Sequence, residues 1–192
     1  TRSGDTVKLA ELLEEAKQRA YDLVTEKNPT LPDCQRQAIA ERVGIGAVKY
    51  VDLSKNRTSD YIFDWSTMLS FEGNTAPYLL YAYARIKSIL KKAPEGNYDV
   101  IQNLSEPEER ALCLKILQLG EIIEAVDRDC MPNQLCNYLY ELSSLFMKFY
   151  ENCPILKAEI SQAQSRLALC RLTAETLRQG LQLLGITPLE QM

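Results

Sequence analysis

Leu135, Leu139, Leu142, Phe146 and Phe149 recur at spacings of three and four residues, and this period constrains the fold more than any single motif in the chain. A helix turns once every 3.6 residues, so side chains at such spacings share one face, and that face must be buried against another element. Four other segments carry the same period. Leu9, Leu12, Leu13, Ala16, Ala20 and Leu23 mark a helix over residues 7–25, with Thr6 or Asp5 as its cap. After the breaks at Asn28-Pro29 and Pro32, a second helix runs from about Asp33 to Ser54, with Ile39, Val43, Ala47 and Tyr50 as its stripe. Gly73-Asn74 makes a turn, Thr75 caps a third helix with Pro77 in its first turn, and that helix ends near Lys92. Ser105 and Glu108 form an S-x-x-E capping box ahead of a helix over residues 106–129, with Leu112, Ile116, Leu119, Ile123 and Val126 facing inward.

The stripe first named belongs to a helix over residues 133–150, and a last helix over about 161–184 stops at Gly185, a C′ glycine. Only residues 56–71 lack the period; there Tyr61, Phe63 and Trp65 alternate as in a short extended segment. No internal repeat interrupts the pattern, and the loops are short. Short loops favour antiparallel neighbours, so the expected fold is an all-α antiparallel helical bundle.

Composition then narrows the chemistry. The chain has no histidine, which removes the commonest general base and every Ser-His or Cys-His nucleophile. Neither a G-x-x-x-x-G-K nor a G-x-G-x-x-G loop is present, and Gly44 and Gly46 suit close helix packing better than phosphate binding. The six cysteines are scattered without a C-x-x-C pair, and no apolar leader accompanies them, so reduced thiols in a cytosolic protein and no metal site are expected. No apolar run reaches the ~20 residues that a membrane-spanning helix needs. The opening Thr1, in place of methionine, is what a piece of a longer protein would carry. No catalytic residue and no metal ligand is assigned.

One segment stands apart. The net charge is −4, yet residues 73–92, GNTAPYLLYAYARIKSILKK, contain no acid, three tyrosines and four cations. On a helix Tyr78, Tyr81, Arg85 and Lys92 share one stripe, while Leu79, Ile86 and Leu90 fall on another. Two readings fit such a stripe. Half-buried tyrosines can pack with a wet hydroxyl. Alternatively, rings and cations together suit unpaired nucleotides, whose bases stack and whose phosphates are anionic.

Residues 73–89 resemble the signature helix of the arginyl-tRNA synthetase family, and the rest follows in order. TRSGDTVKLAELL at 1–13 is similar to the segment after that family's ATP-binding loop, and VGIGAVKYVDLSKNRTSDYIFDW at 43–65 to its connector. LCNYLYELSSLFMKFYENC at 135–153 resembles a later bundle helix, and LALCRLTAETLRQGLQLLGITPLEQM at 167–192 the terminal helix and tail.

The resemblance implies a class I ligase that charges tRNA with arginine, using ATP and Mg in the full-length enzyme but no cofactor in this part. This chain would be its anticodon-binding domain of the DALR type, with connector helices at 1–57 and a bundle at 58–192, or one continuous domain. Implied partners are the arginine anticodon loop of tRNA and the catalytic domain upstream, in a monomer without a membrane, in the cytoplasm or an organelle. Asn74, Tyr78, Tyr81 and Arg85 match the family's G-N-T-x-x-Y-x-x-Y-x-x-x-R pattern, which implies contact with the loop. Lys92, Tyr138, Tyr150 and Met192 complete the implied RNA-binding set, although Asn74 also suits a turn, Tyr138 and Tyr150 also suit packing, and a terminal Met192 also suits fraying.

Lys49, Lys55 and Arg57 would follow the tRNA backbone. Residues 1–3 would be disordered once separated from the ATP loop, and the first helix would expose apolar surface meant for the catalytic domain. A helical protein-interaction module that binds no RNA is the alternative, and a free-standing enzyme is disfavoured by the missing histidine and loops.

Overall fold

The structure is a computed structural model that describes residues 8–96 and 98–192. The cap expected at Thr6 or Asp5, the disorder expected at residues 1–3 and Asn97 in the loop after Lys92 lie outside the described residues. Eight helices are present among the described residues: α1 Leu9–Lys27, α2 Asp33–Leu53, α3 Trp65–Met68, α4 Ala76–Lys92, α5 Pro107–Leu117, α6 Leu119–Asp129, α7 Asn133–Asn152 and α8 Ile160–Leu183. No strand occurs among them. The bundle is all-α, as its periodicity requires.

The stripes face inward except at Leu9 and at Ile123, expected inside on the 106–129 stripe but 39% exposed. Ile39, Val43, Ala47 and Tyr50 of α2, Leu79 and Ile86 of α4, and Leu135, Leu139, Leu142, Phe146 and Phe149 of α7 all join one continuous core that runs from α1 to α8. Each large side chain moved fully out of water contributes roughly 1.5–3 kcal/mol, and all five residues of the α7 stripe are buried. α1 and α2 form a hairpin. A Cβ at Gly44 would lie 2.6 Å from the Ala16 carbonyl oxygen, so only glycine lets the two backbones approach there. Gly180 of α8 makes a similar close approach, with the Leu139 side chain filling the place where a Cβ would stand.

Three local expectations are corrected. Trp65 does not continue an extended segment: Asp64 accepts the Thr67 backbone N–H and opens the four-residue α3, a short cap winning over alternation. The expected helix over residues 106–129 is two helices, because the chain departs from the α-helical hydrogen-bond pattern at Gln118. Its cap is also one residue later than expected. Glu109 rather than Glu108 turns back to accept the Glu106 N–H at 3.0 Å. That choice follows from burial: Glu109 is 1% exposed and ion-paired to Arg166, 4% exposed, with Nε to Oε1 at 2.6 Å.

The end of α8 follows the expectation closely. Gly185 has φ of +69°, its N–H donates to the Gln182 carbonyl, and Ile186 N–H donates to the Leu181 carbonyl, both at 2.9 Å. This is a Schellman stop, and it needs glycine at the left-handed position. Lys49 then donates to the Gly185 carbonyl at 2.6 Å, so Lys49 holds the tail, a different role from the RNA-backbone contact expected of it. The tail is packed rather than frayed, with Ile186 and Leu189 buried and Glu190 paired to Lys87 at 3.1 Å. On α1, Leu9 is 66% exposed while Leu12 and Leu13 are half-buried, which leaves apolar surface at that end. No described helix is long and apolar enough to cross a membrane.

Candidate nucleic-acid interface

α4 begins where the sequence says it should. Thr75 accepts the Tyr78 N–H at 3.2 Å, and the preceding Gly73 takes φ of +78° to make the turn. This fixes the rotation of α4 and turns Leu79, Leu80 and Ile86 into the core. Tyr78, Tyr81 and Arg85 are left half-buried on the flank, with Lys92 exposed.

Two further elements bring the same side chains into an open groove. Tyr81, Arg85 and Lys92 of α4 line it together with Tyr150 of α7 and Met192 of the tail. Five of the eight residues expected to touch RNA therefore meet in one place, although they are 111 positions apart at the extremes (81 to 192). The Arg85 guanidinium sits between two rings, 4.9 Å from the Tyr81 centroid and 5.0 Å from that of Tyr150, and donates to the Tyr81 hydroxyl. Tyr150 in turn stacks on Phe146. On the other side Phe71 meets Tyr81 edge-on at 6.4 Å, and Lys27 lies 5.0 Å over Phe71. A row of touching rings and cations thus crosses from the end of α1 to α7. Such contacts are worth ~0.5–1 kcal/mol each when exposed, enough to hold the rings in defined orientations.

The other three residues lie outside the groove lining. Tyr78 packs against Tyr140, with centroids 5.7 Å apart, beside the Tyr81 face. Asn74 is a structural pin: its Oδ1 accepts from the Tyr50 hydroxyl at 2.5 Å and its Nδ2 donates to Asn137 Oδ1 at 3.0 Å, tying the α4 turn to α2 and α7. The Tyr50 hydroxyl also lies 2.9 Å from the Cys136 carbonyl, and burial holds its pKa far above the ordinary phenol value. Tyr138 corrects the expectation for it. It is 1% exposed, it donates to the Lys115 carbonyl at 2.9 Å, and burial pushes its pKa up to about 12. A ring enclosed in that way ties α7 to α5 and cannot stack on an external base.

Electrostatics separate the groove from the rest of the molecule. Arg85, Lys87, Lys91, Lys92 and Lys157 line it, against the single side-chain carboxylate of Glu190. Among the described residues, Arg85, Lys91, Lys92 and Lys157 have no carboxylate within ion-pairing distance, whereas Lys87 is held by Glu190. An acidic chain of net charge −4 therefore presents one strongly basic concavity. Lys91 belongs to the acid-free stretch and could have been found there; Lys157, in the turn after Pro154, carries no such signal. The second wall, made by the α1–α2 turn through Asn28, Leu31 and Gln35, was also unmarked in the sequence. Lys55 and Arg57 are exposed on the irregular segment that follows α2.

No three His, Cys, Asp or Glu side chains converge on a possible metal position among the described residues.

Residues 79–192 match the family described as DALR anticodon binding domain, and residues 1–65 match that described as tRNA synthetases class I (R), catalytic domain. The arginine–tRNA ligase of Colwellia psychrerythraea is 60% identical over 194 residues, which is 100% of this chain and 33% of that protein. That of Laribacter hongkongensis is 56% identical over 192 residues, 100% of this chain and 34% of its own length. The solved arginyl-tRNA synthetase of Thermus thermophilus superposes with a TM-score of 0.90 at 36% identity, covering 97% of this chain and 32% of that one. The Plasmodium falciparum enzyme gives 0.87 at 34% identity, covering 97% and 34%. The chain spans about a third of the length of the curated relatives it matches.

Proposed function

The chain belongs to the DALR anticodon binding domain family, and we propose on that footing that it grips the anticodon loop of tRNA for an arginine–tRNA ligase. The observation that carries this reading is the groove itself: Tyr81, Tyr150 and Arg85 side by side, with five side-chain cations against one side-chain carboxylate around them. Loop bases that leave their stack can lie on the tyrosine rings, at roughly 1–3 kcal/mol per base. Arg85, Lys91 and Lys92 then meet the phosphates on either side. A helical interaction module that binds no RNA would have little use for so one-sided a charge, and the reading is set aside for that reason.

In the whole ligase, attachment of arginine to tRNA with ATP and Mg²⁺ is assigned to the catalytic domain, whose family model this chain matches only at residues 1–65. Residues 1–57 serve as the connector between the two parts, the working unit is a monomer, and it acts in the cytoplasm or an organelle.

A fluorescently labelled stem-loop with an arginine anticodon, and its counterpart with a changed middle base, test the proposal. Binding by this chain should be tighter for the first. It should also weaken with salt as expected for a few phosphate contacts, a logarithmic slope of about −0.7 per single-strand phosphate. Equal affinity for both loops, or none for either at low salt, would count against base reading by this domain.

A further inference from the structure

We infer that the α1–α2 turn supplies a second wall that reads base edges, with the side-chain amides of Asn28 and Gln35 as its specificity-determining groups. The inference rests on the RNA-loop reading above and extends it to residues outside the 79–192 family match. Both residues line the same groove as Tyr81, Arg85 and Tyr150. The ring wall cannot discriminate by itself, because every base has a face that stacks. Discrimination needs donors and acceptors directed at the edge of the stacked base, and a carboxamide presents both in one plane.

The turn is built to hold these amides ready. Asp33, the first residue of α2, gathers its neighbours: its carboxylate accepts from the Tyr21 hydroxyl, from Arg36 at 3.2 Å and from Gln37 at 2.7 Å. Arg36 also lies 5.6 Å over the Tyr21 ring. The Asn28 N–H closes α1 on the Val24 carbonyl at 2.8 Å, and its carbonyl receives the Leu31 N–H at 3.2 Å. The backbone of the turn is therefore committed from both ends. The amides of Asn28 and Gln35 take no part in these bonds and have no hydrogen-bond partner among the described residues. A preorganised backbone that carries unpaired amides into a basic, ring-lined groove is the arrangement that base-edge recognition requires.

The test uses the chain with a panel of anticodon stem-loops in which each unpaired base is replaced in turn by the other three and by an abasic site. Wild type should prefer one base at one loop position by on the order of tenfold or more. Gln35→Ala and Asn28→Ala should bring that preference close to one while binding the abasic loop as wild type does. Gln35→Glu, which keeps the length but removes the donors, should move the preference towards bases that present an amino group. Tyr81→Ala serves as comparator and should weaken every loop with a base there alike. Variants that keep the wild-type preference at every position would overturn the inference and leave the RNA reading intact. A wild-type chain that prefers no base at any position would overturn both. Equal melting temperatures of the Gln35 and Asn28 variants and wild type exclude misfolding as the cause.

Discussion

Three of the four tyrosines that the resemblance implies contact RNA end in different environments, and burial sorts them. Tyr81 and Tyr150 border the groove, with Tyr150 37% exposed, whereas Tyr138 is enclosed and hydrogen-bonded to the Lys115 carbonyl. Tyr81→Ala should therefore weaken stem-loop binding by roughly 1–3 kcal/mol with little change in stability. Tyr138→Phe should do the reverse, costing about 0.5–1.5 kcal/mol of stability in chemical denaturation while leaving the dissociation constant unchanged. Loss of binding in Tyr138→Phe at full stability would assign that ring to the interface after all. The spacing of Tyr81 and Arg85 was legible because both sit on one helix. The depth of Tyr138 was not, because a period identifies a face but not how far a neighbouring helix covers it. Asn74 was ambiguous for the same reason, since its partners Tyr50 and Asn137 come from α2 and α7.

At the scale of elements, helix existence followed from periodicity, while boundaries followed from caps that the apolar pattern does not contain. Glu108 and Glu109 are both acids in the first turn of α5, and only the position of Arg166, 57 residues further on, decides which one turns inward. Burial pushes the Glu109 carboxyl up, but the Glu106 N–H and the Arg166 guanidinium outweigh it and hold the group below its ordinary 4.5. A carboxyl with a lowered native pKa contributes stability above its unfolded value, and that contribution is lost as pH falls through the native one. The urea midpoint of the wild-type chain should therefore decline as pH is lowered below about 4.5, and Glu109→Gln should flatten that decline. Because the substitution leaves Arg166 buried without its counter-charge, it should also cost roughly 3–5 kcal/mol near neutral pH, read from the same midpoints. An unchanged pH profile would remove Glu109 as the group responsible.

Across the whole molecule, an all-α bundle was legible and the groove was not, because its walls come from α1–α2, α4, α7 and the tail. No local pattern announces such a meeting; the collinear resemblance did so only for the walls within its quoted blocks. The same global packing sorts the thiols. Burial pushes Cys136 and Cys170 up to about 12, and Cys153 is also enclosed, while Cys34 and Cys130 are exposed. A thiol reagent at pH 8 should modify Cys34 and Cys130 rapidly in the folded chain, Cys113 more slowly, and all six only after denaturation. Mass spectrometry of the labelled peptides checks this order, and early labelling of Cys170 would mean that the bundle opens on that timescale.

Arg85, held between two rings, means that the groove already contains a guest of its own. A base arriving on Tyr81 or Tyr150 replaces a guanidinium face instead of covering bare ring, so measured affinity is the difference between two stackings. Removing Arg85 takes away a cation that meets phosphate, but it also removes the competitor for the ring. Binding lost in Tyr81→Ala combined with Arg85→Ala should accordingly fall short of the sum of the two single losses, as expected for groups that share one contact.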